Sequence, residues 1–307
     1  MDYEFISVKL IAHSVSQEGT PIATFELEYP RFIHSEIMTH RMFSRNAQSS
    51  RAVPVAKTSE INALRPVLPL LWGKNKPGMS STEELEGSEL LVAKMHWSNA
   101  AEESFNRSKL LAESGLHKQY ANRLTEWCSR IKVVVTSTEW DNYFWLRDDE
   151  DAAQPEIVYL ARKMKEVLDA STPELLQPGE WHTPYVQHER SDVYGLRYID
   201  SNGVELIKEE AKQISASCCA QVSYRTLNDS KEKALEIYGK LFSGPKPHLS
   251  PVEHQATPMQ DCTTFVNTSN TFDWEEGVTH IDKQFSLWSA NFQGWIQYRQ
   301  VLSAVNP

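Results

Sequence analysis

The stretch PIATFELEYPRFIHSEIMTHRMFSRNAQSSR, residues 21–51, changes its hydrophobic period once. In its first ten residues Phe25, Leu27 and Tyr29 alternate with polar side chains, which is the period of a half-buried strand. Beyond Pro30 the apolar residues recur at helical spacing, so residues 30–42 are predicted to form a short helix. The stretch therefore predicts a fold that combines sheet and helix, in which the helix leads directly into a polar loop.

That loop, THRMFSRNAQSSRAVP (39–54), concentrates serine, asparagine and arginine in a chain of 31 basic and 41 acidic residues. On the predicted helix Glu36 and His40 share one face, with Arg41 beside them. Two interpretations stay open. The loop is a solvated turn, or it binds an anion through serine hydroxyls, backbone N–H groups and the planar guanidinium of Arg41 or Arg51.

The rest of the chain alternates helical segments with short β-branched or turn-rich ones. Residues 56–86 mix proline, glycine, serine and charge, and are predicted to be an irregular surface segment. Because no repeat or long linker divides the sequence, we predict one mixed α/β (α+β) domain over 1–307, with an antiparallel sheet and long helices. One helix is predicted over 88–113, with Ser88 as its cap, and another over 117–128. Further helices are predicted within 156–168, 202–224 and 231–244, and a strand over 132–137.

The composition of the chain limits the class of binding partner and the cellular compartment that we expect. A net charge of −10 argues against long duplex nucleic acid, which needs a basic binding surface. The N-terminal MDYEFISVKLIAHS lacks the pattern of a signal peptide, and no run approaches the roughly 20 apolar residues that span a bilayer. The four cysteines form no disulfide framework. The sequence predicts a cytoplasmic protein that binds neither nucleic acid nor membrane.

Two further segments carry candidate residues. HLSPVEHQATP (248–258) contains two histidines. Together with Cys262, His182 and His188 they fit no compact spacing of metal ligands, so no metal is expected. Ser-Pro-x-Glu instead predicts a helix start capped by Ser250. TEWDNYFWLR (138–147) reads as an amphipathic surface helix, or as a site where Arg147, flanked by aromatic residues, holds a nucleobase.

The polar loop fits H-R-x-x-S-x-N-x-x-S-x-R, with His40, Arg41, Ser44, Asn46, Ser49 and Arg51 at its fixed positions. It resembles the signature loop of the flavin-dependent thymidylate synthases, usually written R-H-R-x-x-S-x-N-E-x-S-x-R. AESGLHKQYANRL resembles the family's segment that leads to a phosphate-contacting arginine, which falls on Arg123. TEWDNYFWLR resembles the segment that supplies Asn142 to flavin and Arg147 to the pyrimidine.

Two segments of the resemblance stand in an unusual order. AQVSY (220–224) and HLSPVEH (248–254) are similar to stretches that precede the strand and the signature loop in most members, but here they lie near the C-terminus. The chain thus resembles a circularly permuted member, over most of residues 20–260. In the family, the histidine that corresponds to His254 packs at the flavin.

The resemblance implies a homotetramer with FAD at subunit interfaces, and conversion of dUMP to dTMP with methylenetetrahydrofolate and NADPH. The C-terminal extension, 270–307, contains WSANFQGWIQYRQVL (288–302), which is either a subunit-packing helix or a lid over the folate. The implied site residues are as follows: catalytic, Arg147 and Ser49; cofactor-binding, His40, Arg41, Ser44, Asn142 and His254; substrate-binding, Glu36, Ser49, Ser50, Arg51, Arg123 and Arg147; no metal ligand.

Departures from the family pattern keep the substrate and product open. Thr39 replaces the first arginine, Ala47 replaces the motif's glutamate, and Ala152-Ala153 stand where a histidine is usual. Glu36 replaces a glutamine, and a carboxylic acid can pair with the amidine edge of cytosine. The alternatives to a dUMP methylase are a dUMP or dCMP hydroxymethylase and a non-catalytic nucleotide- or flavin-binding relative. His34 and Arg45 are candidates to replace the cation lost at Thr39.

Overall fold

A five-stranded sheet forms the centre of the computed structural model, which describes residues 3–57, 65–78, 80–81, 83–223, 227–260 and 274–302. Its strands lie in the order β3-β4-β2-β1-β5, and all neighbours are antiparallel except β1 and β5. They are β1 (Ser7–Val15), β2 (Pro21–Pro30), β3 (Ser44–Ala47), β4 (Arg130–Ser137) and β5 (Glu174–Leu175).

The C-terminal half of the chain adds three small antiparallel sheets. Their strands are β6 (Gln187–Ser191), β7 (Gly195–Ile199), β8 (Glu205–Leu206), β9 (Ala256–Pro258), β10 (His280–Ile281), β11 (Leu287–Ser289), β12 (Phe292–Gln293) and β13 (Trp295–Gln297). The helices are α1 (His34–Ile37), α2 (Gly87–Glu113), α3 (Lys118–Ala121), α4 (Asp141–Arg147), α5 (Pro155–Asp169), α6 (Lys208–Ala220) and α7 (Lys231–Phe242). Short 3₁₀ turns occupy Arg31–Ile33, Asn122–Cys128, Gln221–Ser223, Ser250–Glu253 and Tyr298–Val301. The mixed fold with antiparallel sheet and long helices is confirmed.

The central strand β2 is buried on both faces near its N-terminal end. The predicted alternation is confirmed on one face, where Phe25 and Leu27 pack in one apolar core with Ile157 and Met164 of α5. On the other face Thr24 is fully buried as well, because the C-terminal half of the chain covers the sheet there. A buried hydroxyl needs a hydrogen-bond partner, and the C-terminal half supplies it.

The polar loop is partly a strand, which its prediction as a loop or solvated turn did not include. Residues 44–47 form β3, which pairs with β4 from Ser44 opposite Thr136 to Ala47 opposite Val133. The helix predicted over 30–42 is shorter than expected, since α1 ends at Ile37. Between Ile37 and β3 the backbone forms hydrogen-bonded turns instead, such as those from Thr39 N to the Glu36 carbonyl and from Phe43 N to the His40 carbonyl.

Several predicted helix ends also change. The helix over 88–113 is confirmed as α2, but Glu86 is its N-cap instead of Ser88. The helix predicted over 117–128 is a single turn, α3, continued as a 3₁₀ helix. Leu249, not Ser250, caps the turn before His254. Neither Glu86 nor Leu249 makes a side-chain capping hydrogen bond, and helix ends commonly differ by one or two residues from those that capping signals indicate.

The segment 288–302 forms strands β11 to β13 and a 3₁₀ turn, so its prediction as a packing helix was wrong. Ala290 (φ 52°) and Gly294 (φ 69°) adopt left-handed backbone conformations that reverse the chain. Trp295, at the start of β13, is fully buried, and β13 pairs with β9. None of the described helices is both long and apolar enough to cross a bilayer.

Candidate functional site

The guanidinium of Arg147, at the end of α4, joins the two segments that the sequence singled out. Its Nε donates to His40 Nε2 at 2.9 Å, although the two residues are 107 positions apart. Its Nη1 contacts Glu36 Oε2 at 3.1 Å and its Nη2 donates to Thr39 Oγ1 at 3.2 Å. We call these four residues, Glu36, Thr39, His40 and Arg147, the Arg147 cluster. Its members fix one another's orientation through three hydrogen bonds.

His40 must be neutral to accept the proton of Arg147 Nε, and its surroundings keep it so. Burial, with the positive charges of Arg147 and Arg45, lowers the pKa of His40 to about 4. Because its Nε2 accepts a hydrogen bond, the ring carries its proton on Nδ1. The ring packs against Phe43, with centroids 5.5 Å apart, and edge-on against Tyr143 at 4.9 Å. These contacts hold the imidazole in one position.

Arg45 does not replace the cation lost at Thr39 as a free group. Its Nη1 donates to the carbonyl oxygens of Ile37 and His40, each at 3.0 Å. The other candidate, His34, lies at the Tyr29 hydroxyl, with 2.9 Å between that oxygen and His34 Nδ1. Arg45 therefore braces the turn that carries Thr39 and His40, whereas His34 links α1 to β2.

The end of the signature loop carries two exposed arginines. Arg41 and Arg51 form no ion pair with any residue that the structure describes. Asn122 fastens the loop, since its Nδ2 donates to the carbonyl oxygens of Ser50 at 2.7 Å and Val53 at 2.8 Å. The fastened loop presents uncompensated positive charge, which suits an anionic group.

The remaining candidate substrate-binding residues lie close to the hydrogen bonds that Asn122 makes with the loop. Ser49 and Ser50 are half-buried, and Glu126 accepts a hydrogen bond from Ser50, which helps to lower the pKa of Glu126 against the opposing effect of burial. Arg123, beside Asn122, is exposed and forms an ion pair with Glu126 at 2.9 Å. The structure thus brings Ser50, Arg123 and Glu126 together at one end of the loop.

Ser44 and Asn46 point away from the exposed arginines, into the C-terminal half. Asn46 Nδ2 donates to the carbonyl oxygen of Cys219 at 3.1 Å. Ser44 Oγ accepts from Asn291 Nδ2 at 3.1 Å and from Gln297 Nε2 at 3.3 Å. Sequence analysis missed Asn291 and Gln297, because nothing in their neighbourhood matches a functional motif.

His254 lies against the same region. Gln297 Nε2, which reaches Ser44, also donates to the carbonyl oxygen of Glu253 at 3.3 Å, so it links the signature loop to the 248–254 segment. The imidazole of His254 is fully buried, with Nδ1 at 2.8 Å from Thr136 Oγ1 and no partner for Nε2 among the described residues. Burial lowers its pKa to about 3, so the ring is neutral. A buried ring nitrogen without a partner suits a ligand atom.

Other predicted residues stand apart from this arrangement. Asn142 is exposed on α4, one turn before Arg147. Ala153 is buried and Ala152 exposed. Tyr224 and Cys262, from two of the candidate segments, lie outside the described residues. Within the described ranges no group of three histidine, cysteine, aspartate or glutamate side chains is placed to hold a metal ion.

The solved structures that are similar to this chain include two of a protein from Streptomyces cacaoi. They are crystal structures of a UMP/dUMP methylase, PolB, bound with 5-Br UMP or with 5-Br dUMP. The first is 18% identical with a TM-score of 0.41, and the alignment covers 53% of this chain and 88% of PolB. The second is 20% identical with a TM-score of 0.39, and covers 53% and 89%. No curated protein sequence matches the chain.

A family model described as "Thymidylate synthase complementing protein" matches residues 12–174. The match runs from β1 to β5 and contains the signature loop, Arg123 and the Arg147 cluster. The segments 220–224 and 248–254 lie beyond it, so the permuted order remains a prediction. Since the match spans more than half of the 307 residues, the chain belongs to the family of thymidylate synthase complementing proteins.

Proposed function

We propose that the protein is a flavin-dependent methyltransferase that converts dUMP to dTMP. Family membership supports methylation of a pyrimidine nucleotide as the type of reaction. In the proposed reaction dUMP, methylenetetrahydrofolate, NADPH and a proton give dTMP, tetrahydrofolate and NADP⁺. The C5–H bond of the pyrimidine is replaced by a bond to the one-carbon unit, which a hydride from NADPH reduces to methyl.

The observation that carries this proposal is the Arg147 cluster. C5 of uracil becomes nucleophilic only as negative charge spreads onto the ring carbonyl oxygens, and a preorganised guanidinium stabilises that charge. Arg147 is held by His40, Glu36 and Thr39 before any ligand binds, so little reorganisation is needed. We assign Arg147 the role of holding the pyrimidine, and we retain Ser49 as the second proposed catalytic group.

The charge on the loop supports binding of phosphates. Arg41 and Arg51 are exposed without ion pairs to described residues, and a guanidinium binds phosphate with two parallel hydrogen bonds. We assign Arg51, Ser50 and Arg123 to the substrate phosphate.

The described residues offer groups that suit FAD. Arg41 offers a cation for a diphosphate, and His254 Nε2 offers a buried nitrogen without a described partner. When bound, FAD would supply the redox chemistry that passes the hydride of NADPH to the one-carbon unit. The remaining contacts that we propose with FAD come from His40, Ser44 and Asn142. Of these, Ser44 Oγ is already hydrogen-bonded to Asn291.

A product assay tests the proposal. The protein is incubated with FAD, NADPH, methylenetetrahydrofolate and dUMP, and the nucleotide is then weighed by mass spectrometry. We expect the mass of dTMP, formed only when NADPH is present. A colourless protein that ignores added FAD and yields no product would overturn the proposal and favour the non-catalytic relative.

The pair formed by Glu36 and Arg147 favours dCMP as a second candidate substrate. A carboxylate beside a guanidinium presents an acceptor next to donors. Cytosine offers the complement, with an amino donor at N4 and acceptors at N3 and O2, whereas uracil offers an acceptor at O4. A hydroxymethylase would transfer the methylene group of methylenetetrahydrofolate to C5 in place of its hydrogen and add water to it, releasing tetrahydrofolate without consuming NADPH. Omitting NADPH from the assay therefore separates the two products.

Glu36→Gln is expected to move base preference from dCMP toward dUMP, by roughly tenfold or more in the ratio of kcat/KM values. The amide can donate to O4 of uracil, which the carboxylate repels. The measurement compares kcat/KM for both nucleotides in wild type and variant. Glu28→Gln is the matched control, because Glu28 pairs with Arg130 on the sheet, outside the Arg147 cluster. An unchanged ratio in Glu36→Gln would remove Glu36 from base recognition.

The exposed apolar surface of α2 supports a homotetramer. Leu91 is 70% exposed, Met95 50% and Leu110 53%, and such side chains gain from burial between subunits. Light scattering on the purified protein is expected to give four times the mass of one chain. A monomer at micromolar concentration would contradict this assembly.

A further inference from the structure

A continuous buried chain of hydrogen bonds crosses the protein from β1 to His254. Ser14 Oγ lies 2.9 Å from His182 Nδ1, and His182 Nε2 lies 2.9 Å from Thr24 Oγ1. Thr24 Oγ1 lies 2.7 Å from Thr136 Oγ1, which in turn lies 2.8 Å from His254 Nδ1. We call these five residues, Ser14, His182, Thr24, Thr136 and His254, the histidine relay. None of them is more than 2% exposed.

The two histidines of the relay are neutral. Burial lowers the pKa of His182 well below its usual value, and burial also lowers the pKa of His254. A neutral imidazole has one N–H donor and one bare nitrogen, and each hydroxyl has one proton to donate. The two bonds of His182 must therefore run in one direction, and neither threonine can donate to both of its neighbours, which leaves four arrangements of the relay.

The four arrangements differ in the number of buried groups that they leave unpaired. If the bonds run from Ser14 toward His254, Ser14 donates to His182 Nδ1, and His254 accepts at Nδ1 and carries its proton on Nε2. This arrangement leaves one group without a partner among the described residues, the Nε2–H of His254. In each of the other three arrangements, one hydroxyl proton, that of Ser14, Thr24 or Thr136, and the bare Nε2 of His254 both lack a described partner. Each unpaired buried donor or acceptor costs roughly 1–3 kcal/mol, so the first arrangement, which leaves only one, is favoured.

We propose that His182 is a positioning residue which, through Thr24 and Thr136, holds His254 as the Nε2–H tautomer, so that Nε2 offers a hydrogen-bond donor to a ligand. The identity of that ligand, FAD, rests on the proposed function, whereas the tautomer does not. His254 has no exposed surface, so a ligand atom reaches Nε2 only when a covering group moves.

The backbone around His182 is built to keep the relay in register. His182 N donates to the carbonyl oxygen of Ala256 at 2.8 Å, and Ala256 N donates back to the His182 carbonyl at 3.3 Å. This bridge ties His182 to the strand that begins two residues after His254. The two histidines are thus linked through the backbone, and both contact the buried face of the central sheet through Thr24 and Thr136.

Solid-state NMR of the full chain, labelled with ¹⁵N at its ten histidines, reads the tautomer without any ligand. His254→Gln identifies the signals of His254. We expect the wild type to show His254 with a protonated Nε2 and a bare Nδ1. In Thr24→Val, which matches threonine in shape but cuts the relay, we expect a mixture of both tautomers, and in Thr24→Ser the wild-type pattern. His182→Gln keeps a donor toward Thr24 and is expected to retain the pattern.

A protonated Nδ1 at His254 in the wild type, or an unchanged single tautomer in Thr24→Val, would overturn the inference. If Thr24→Val fails to fold, the wild-type spectrum alone still decides the direction of the relay. FAD affinity, followed by flavin fluorescence, gives a second readout. It is expected to fall about fivefold in Thr24→Val and to stay unchanged in Thr24→Ser. A wild type that binds no FAD would count against the proposed function alone, because the tautomer is read in its absence.

Discussion

Arg147→Ala is expected to lower kcat by about a hundred- to a thousandfold while FAD stays largely bound, under the proposed function. The guanidinium is the group of the Arg147 cluster that can stabilise negative charge on the pyrimidine carbonyl oxygens, and alanine leaves that charge unsupported. Thr39 and His40 also lose their common partner. Single-turnover kinetics with dUMP, compared with FAD affinity by fluorescence, measures both parts of the expectation.

Two further variants make this result specific. Arg147→Lys keeps the positive charge but loses the planar fork that contacts three partners, and is expected to recover only part of the activity. Arg162→Ala removes an exposed arginine of α5 that pairs with Asp148 just after α4, and is expected to leave kcat unchanged. Thermal melts should show only a small loss of stability for Arg147→Ala, since partly exposed ion pairs contribute about 0–1 kcal/mol. Full activity in Arg147→Ala would remove Arg147 from its role.

The parts of the fold that sequence alone predicted are those determined by local periodicity. The alternation of Phe25, Leu27 and Tyr29 predicted β2, and the β-branched run ending at Ser137 predicted β4. The 27-residue helix α2 was predicted from the length of its sequence segment and from the glycine that follows its end, Gly115. In each case the pattern needed no knowledge of the partner segment.

The parts that sequence missed depend on distant partners. β3 is a strand because β4, more than 80 positions later, supplies its hydrogen bonds. Strands β11 to β13 exist because the chain reverses at Ala290 and Gly294, and an alanine gives no signal for a left-handed conformation.

The candidate site divides in the same way. The signature loop and Arg147 were predicted from motifs, and their contact through His40 and Glu36 is direct. The relay could not be predicted, because its first bond joins Ser14 and His182 across 168 positions and its two threonines look like ordinary strand residues.

The fully buried neutral His254 is expected to make the protein less stable as the pH falls below about 6.5. Its pKa is about 3 in the folded chain against 6.5 for a solvated histidine, so between these values the unfolded chain binds a proton that the folded chain does not. Stability from this group is complete above pH 6.5 and is lost as the pH falls toward 3, by about 1.4 kcal/mol per pH unit. His40 and His34, whose pKa values burial lowers to about 4, act in the same direction.

His254→Gln isolates the contribution of this one ring. Glutamine keeps a hydrogen-bonding group near Thr136 but does not titrate, so the difference in unfolding free energy between wild type and variant should shrink by about 1.5 kcal/mol from pH 6.5 to pH 5. Urea titrations at both pH values, fitted with a common m-value, measure it. Val252→Ala is the matched control, because it removes buried methyl groups two positions before His254 in the chain and should lower stability equally at both pH values. A difference between wild type and His254→Gln that stays constant with pH would mean that the ring takes up its proton in the folded protein as readily as in the unfolded chain, and would contradict the effect assigned to its burial against Thr136.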